Sequence, residues 1–215
     1  MPLFYQQDIN LTTRLGIWKI EEDAGFFQRR VPLQREIVHP HKRLQHLAGR
    51  YLLSFLFPDF PYAEILIADT RKPFLQDEQY HFSISHCGDY AAAIVSRTDR
   101  VGIDIEIITP RVDKIKHKFL HPDELLFVNS YPPEKQTALL TLLWSCKEAM
   151  FKWWGRGDVD FSDVMQILPF PFKDSGIIDA LFTKDNFRAR LSLHYELSTT
   201  TSLVWLATQS VASEL

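Results

Sequence analysis

Cysteine is scarce in this chain of 215 residues, which carries only Cys87 and Cys146. Two cysteines cannot build a disulfide framework, and no CxxC pair or Cys/His cluster offers zinc spacing. Both therefore read as free thiols of a reducing compartment. Positive charge is not in excess either: 24 Lys and Arg against 27 Asp and Glu leave a net charge of −3. Attraction to nucleic-acid phosphates would have to come from a local patch, so no nucleic-acid partner is expected. Long apolar runs are missing. The longest, Ala91 to Val95 and Ala138 to Trp144, fall far short of the roughly 20 residues that cross a bilayer, so no membrane span is expected. The opening segment MPLFYQQDINLTTRLGIWKI lacks a basic start followed by an apolar block, which predicts no signal peptide and a cytoplasmic protein. Low-complexity tracts and Gly/Ser linkers are absent too.

What is present is a globular composition, with 46% apolar residues, enough for one sizeable core or two small ones. In KRLQHLAGRYLLSFLF, residues 42–57, the apolar positions Leu44, Leu47, Ala48, Tyr51, Leu52 and Phe55 keep the helical period, and Pro58 and Pro61 then stop it. Short runs rich in β-formers follow at 64–68, 81–85 and 90–96; the last two flank Gly88-Asp89 and predict a hairpin. Residues 101–108 read as a strand. Helices are predicted at 112–120, 122–130 and 134–154, with Pro122 fitting a first turn. From Phe161 onward the chain reads as strands, with 188–197 and 201–209 as a second hairpin. This order predicts an α+β fold of two halves, residues 1–98 and 99–215, joined at the polar stretch 97–100.

Two places break the pattern. In VGIDIEI, Val101, Ile103, Ile105 and Ile107 face one way while Gly102, Asp104 and Glu106 face the other, which sets two carboxylates about 6–7 Å apart on one face. Taken alone, DxE is a weak signal, and a solvated outer face is the ordinary explanation. In the following helix, Leu140, Trp144, Glu148 and Lys152 recur at i+4, so an apolar stripe turns into an acid and a base. An exposed i,i+4 pair is the bland alternative. Against it stand Trp144, Met150, Phe151, Trp153 and Trp154, a crowded aromatic setting that points to a cleft. Glu148 beside Asp104 and Glu106 would give three carboxylates, repelling one another without a cation and suited to Mg²⁺. Such a site would take a phosphorylated substrate, with Lys147 and Lys152 sharing its charge.

VGIDIE at 101–106 and WSCKEAMFK at 144–152 together resemble the paired signature of the 4′-phosphopantetheinyl transferases, (I/V)G(I/V)D(I/V)E and (F/W)SxKE(A/S)xxK. The gap between the blocks is that of the larger, Sfp-type members. RKPF at 71–74 resembles their GKP block and FSISHCGDY at 82–90 their N(L/I)SHS block. The resemblance covers about residues 35–165.

The resemblance implies two similar α/β halves, each a small antiparallel sheet with a packed helix. They would be related by pseudo-two-fold symmetry in a monomer, with the active site at their interface. It implies transfer of the phosphopantetheine arm of coenzyme A to a serine of an apo acyl or peptidyl carrier protein, releasing adenosine 3′,5′-bisphosphate. Mg²⁺, or Mn²⁺, would be held by Asp104, Glu106 and Glu148. Glu148 would also act as the base for the serine, and Lys152 would contact the pyrophosphate. Coenzyme contacts would come from Arg43, Arg50, Lys72, Ser85, His86 and Lys147, with His46 a weaker candidate. Arg71 stands where the GKP block has glycine, which removes that residue's freedom at positive φ. Lys114, Lys116 and Lys118 lie in a segment that resembles the family's carrier-docking region, a solvated lysine run being the other reading. Two further functions share these residues: a Mg²⁺-dependent nuclease or phosphatase built on the same acids, and a coenzyme A binding module without catalysis.

Overall fold

The structure is a computed structural model and describes residues 3–31, 33 and 36–209. The chain divides into two compact units, one running to Ile103 and taking back the chain from Ala207, the other formed by Asp104–Leu206.

The first unit is built on a four-stranded antiparallel sheet in the order β1-β2-β6-β5. Its strands are β1 (Leu3–Asn10), β2 (Thr13–Lys19), β5 (His81–Cys87) and β6 (Tyr90–Ser96). A short helix α1 (Ala24–Gln28) and a two-stranded ribbon, β3 (Leu66–Ile67) with β4 (Pro73–Phe74), complete the layer around it. The expected hairpin is β5–β6, and Gly88 at its turn has φ 48°, a conformation glycine adopts without a Cβ penalty. Helix α2 (Pro40–Leu56) forms because Pro40 fits its first turn, His39 accepts from the Lys42 N–H, and its Leu and Tyr positions share one face. Arg14 Nη1 donates to the Leu56 carbonyl at 2.9 Å and closes the helix's last turn. The helix lies very close to the sheet: a Cβ on Gly49 would stand 2.6 Å from Ile84 Cγ2. Trp18, Phe27, Tyr51, Leu52, Phe60 and Phe82 fill the core between these layers.

In the second unit the sheet order is β7-β11-β10-β9-β8. The strands are β7 (Asp99–Ile107), which enters from the first unit, β8 (Met165–Ile167), β9 (Ser175–Lys184), β10 (Phe187–Leu197) and β11 (Thr201–Gln209). Helix α3 (Pro122–Asn129) and the long helix α4 (Pro133–Trp154) belong to this unit. α4 ends on Gly155, left-handed at φ 71°, a common helix stop. Its Leu139, Leu142, Leu143, Cys146 and Met150 form one core with Ile178, Phe182, Leu193, Val204 and Leu206.

Three expectations need correction. The helix expected at 112–120 is a 3-10 helix, Pro110–Lys118; Pro110 starts it, and β-branched Val112 and Ile115 weaken an α-helical alternative. The chain after Phe161 does not open with a strand. Asp160 accepts the Ser162 and Asp163 N–H groups and caps one helical turn, α5 (Phe161–Val164). The run at 64–68 holds only the two-residue strand β3, the end of a 3-10 turn (Tyr62–Glu64) preceding it. Both cysteines are buried and outside any disulfide, and burial pushes the Cys146 thiol well up, away from the reactive thiolate. Among the described residues no helix is long and apolar enough to cross a membrane.

Candidate functional site

Strand β7 carries the first acids. Asp104 is buried, at 1% exposure, which rules out the solvated-face explanation of the DxE pair. Glu106, two residues on, is half-buried. Helix α4 supplies the rest, since its four-residue repeat stacks Trp144, Glu148 and Lys152 on one face. The Lys152 ammonium donates to Asp104 Oδ1 at 2.6 Å, and the Trp144 indole N–H donates to Glu106 Oε1 at 3.2 Å. Phe119 and Phe161 pack against the Trp144 ring, with centroids 5.1 and 5.8 Å away, and so hold the indole in that orientation.

The electrostatics show that the acids share one environment. Burial, then the charge of Asp104, pushes Glu106 up to about 7; the indole N–H and Lys152 oppose that, and Glu148 adds to it. Burial and then Asp104 likewise push Glu148 up to about 7, against Lys152. One ammonium thus faces three carboxylates, two of which are reluctant to ionise. Among the described residues no group of three or more His, Cys, Asp or Glu forms a ready-made metal cage. The donor chemistry nevertheless fits a hard divalent cation: three carboxylates whose repulsion a cation would relieve.

Lys147, expected on the coenzyme, points elsewhere. Its side chain is 0% exposed, pairs with Glu124 Oε2 at 2.6 Å, and donates to the carbonyls of Phe161 at 3.0 Å and Met165 at 2.8 Å. An ammonium has three N–H donors, and all three are taken inside the unit. Burial lowers its pKa, and Glu124 works against that.

The remaining expected residues lie in the first unit. Arg43, His46 and Arg50 stand on α2; Arg50 is only 7% exposed, and its Nη1 lies 3.3 Å from His46 Nδ1. The Nε of Arg43 is buried without a hydrogen-bond partner among the described residues. This is therefore no solvated basic face. Lys72, half-buried in the loop between β3 and β4, is lowered to about 8 by burial and then by Arg100, so a second cation, not singled out by motif, stands near it. Ser85 and His86 are successive residues of β5, the first buried and the second exposed; they address opposite faces of the strand, so one face does not present both. Arg71 has φ 66° and occupies the left-handed region that a glycine would take freely.

Sequence reasoning missed two residues of the second unit. Trp144 was legible as part of an aromatic surround but not as a donor to Glu106. Glu124 lies 23 positions from its partner, and only its place three residues after the helix cap is visible in the sequence.

The sequence profile of the 4′-phosphopantetheinyl transferase superfamily matches residues 100–206. Among curated relatives, the chain is 42% identical over 98 residues to the 4′-phosphopantetheinyl transferase psf-1 of Bacillus pumilus, covering 44% of this chain and 42% of that protein. It is 32% identical over 131 residues to the 4′-phosphopantetheinyl transferase AcpT of Salmonella typhi, covering 60% of this chain and 67% of the relative. With the 4′-phosphopantetheinyl transferase gsp of Aneurinibacillus migulanus the identity is 34% over 113 residues, 52% of this chain and 46% of the relative. The matches to psf-1 and gsp thus span about half the length of those relatives. The matched segment contains the acid cluster and its lysine, and on these grounds the chain belongs to the 4′-phosphopantetheinyl transferase superfamily.

Proposed function

We propose that this protein transfers the phosphopantetheine arm of coenzyme A to a serine of an apo acyl or peptidyl carrier protein. The observation that carries the reading is the cluster of Asp104, Glu106, Glu148 and Lys152, the residues of both signature blocks, in one partly buried site. In the reaction the serine oxygen attacks the phosphorus that bears the pantetheine arm, the pyrophosphate bridge breaks, and adenosine 3′,5′-bisphosphate leaves. Glu148, with an affinity for protons near neutrality, takes the serine proton. Lys152 neutralises charge on the departing phosphate. Asp104, Glu106 and Glu148 would hold Mg²⁺ or Mn²⁺, which supplies charge neutralisation at the pyrophosphate when bound. Arg43, Arg50 and Lys72 are candidates for holding the coenzyme's phosphates, the buried Nε of Arg43, without a hydrogen-bond partner among the described residues, being the most direct support. Ser85 and His86 are further candidates from β5. The protein is taken to act as a monomer.

Incubation with coenzyme A, Mg²⁺ and an apo carrier protein tests the reading. The carrier is expected to gain the mass of one phosphopantetheine, seen by intact-protein mass spectrometry. Absence of that gain across several apo carriers would sink it. The relatives give no support to a nuclease or phosphatase, or to a binding module without catalysis.

A further inference from the structure

Lys147 directly precedes Glu148, yet its charge is spent away from the acid cluster. Its ammonium holds Glu124 Oε2 at 2.6 Å and the carbonyls of Phe161 and Met165 at 3.0 and 2.8 Å. Glu124 is just as occupied: it accepts the His121 N–H at 2.7 Å and the Ile167 N–H at 2.6 Å. Its side chain is 2% exposed and that of Lys147 0%. One ion pair therefore ties the start of α3, the middle of α4, the turn α5 and the strand β8 to one another. Desolvating two charges is costly, and a well-packed apolar pair could replace them with no loss of stability. What an apolar pair could not do is fix four backbone groups in one register with helix α4.

The tied segments bear on the acids. Glu148 follows Lys147 on α4, and Lys152 stands one turn further on. Phe161, whose carbonyl Lys147 grips, packs its ring 5.8 Å from Trp144 and 5.4 Å from Phe151, and Trp144 donates to Glu106. We propose that the Glu124–Lys147 pair is a positioning device for the acid cluster. It holds Glu148 directly through the helix, holds Glu106 through Phe161 and Trp144, and does not touch the coenzyme. This inference rests on the transferase reading. Both effects act through geometry, and small misplacements of reacting groups cost rate steeply.

Two variants of the whole protein test it. Lys147→Met keeps the stem and removes the ammonium, and Glu124→Gln keeps the shape and removes the negative charge. The expected result for each is kcat lower by about 10- to 100-fold, with KM for coenzyme A within about twofold of the original. The dissociation constant of adenosine 3′,5′-bisphosphate, by calorimetry, is expected to stay within the same about twofold margin. A nucleotide affinity weakened about tenfold or more by Lys147→Met would make the lysine a phosphate contact and overturn the proposal. Full kcat in a variant shown by circular dichroism to be folded would reduce the pair to a structural element and also overturn it. If neither variant folds, reductive methylation of the unaltered protein decides, read by peptide mass spectrometry. Lys147 is expected to stay unmodified with and without adenosine 3′,5′-bisphosphate; modification that the nucleotide suppresses would overturn the proposal. A wild-type protein that modifies no carrier would count against the transferase reading instead, and the methylation result would still bear on Lys147 separately.

Discussion

Arg71 occupies a backbone conformation, φ 66°, that suits glycine, and it closes a turn in which Ala68 N–H donates to the Lys72 carbonyl at 2.9 Å. A side chain there costs about 1–2 kcal/mol, while glycine costs about 0.5–1 kcal/mol through the freedom it adds to the unfolded chain. The difference favours glycine, so Arg71→Gly is expected to raise stability by up to ~1 kcal/mol in urea unfolding. A loss of stability would mean that contacts of the guanidinium outweigh the strain. Lys152 is a second test at this scale. Its ammonium is the cation 2.6 Å from an Asp104 side chain that is 2% exposed. On the proposed reading Lys152→Met removes a cation for the substrate's charge, and it leaves a buried carboxylate short of a donor. Turnover is expected to fall by roughly 10²- to 10³-fold, and stability by about 1–3 kcal/mol, followed by steady-state kinetics and thermal melts. The acids and Lys152 were legible because a two-residue strand spacing and a four-residue helix spacing fix their faces. The Glu124–Lys147 pairing was not, since no local period links residues so far apart.

At the scale of elements, legibility follows burial. Helix α2 buries one apolar face and strand β6 is buried from Ala91 to Ser96, so a helical period marks the first in the sequence and a run of apolar residues the second. Strand β1 alternates between half-buried and exposed positions and buries none of its residues fully. In this edge strand Leu3, Phe4 and Tyr5 stand in succession before Gln6, Gln7 and Asp8, so there is no apolar and polar alternation to read. The closeness of α2 to the sheet is also invisible locally, although Gly49 records it. Gly49→Ala would place a Cβ 2.6 Å from Ile84 Cγ2, too close for any pair of carbons, so helix or strand must shift. The expected cost is about 1–3 kcal/mol, larger than the gain in helix propensity from replacing glycine by alanine, about 1 kcal/mol. Urea unfolding measures the net loss; a variant at least as stable as the original would show that Ile84 can rotate aside.

At the scale of the molecule, the division of the chain was only partly readable. The turn from one unit to the other falls within β7, after Ile103, and the chain from Ala207 returns to the first unit; such a long-range return has no signature in local composition. The acid cluster has a consequence at this scale as well. Glu106 and Glu148 are both raised to about 7 in the folded protein, above the usual unfolded value of about 4.3. Folding therefore favours their protonated forms. The stability they contribute is present below about pH 4.3 and is lost as pH rises through 7. Lys72, lowered to about 8, acts in the opposite sense, losing a penalty as pH rises, so the wild-type profile alone is ambiguous. The comparison that isolates the acids is with the variant Glu106→Gln/Glu148→Gln, in which Lys72 is unchanged. In EDTA, the melting temperature of the wild type is expected to fall relative to that variant between pH 5.5 and pH 8, as both carboxylates ionise beside Asp104. Adding Mg²⁺ at pH 8 is expected to recover the difference in the wild type and do little for the variant, since a ligand that binds the folded form alone stabilises it. Parallel melting profiles for the two proteins, with no response to Mg²⁺ in either, would show that these carboxylates neither share a strained charge nor hold a metal.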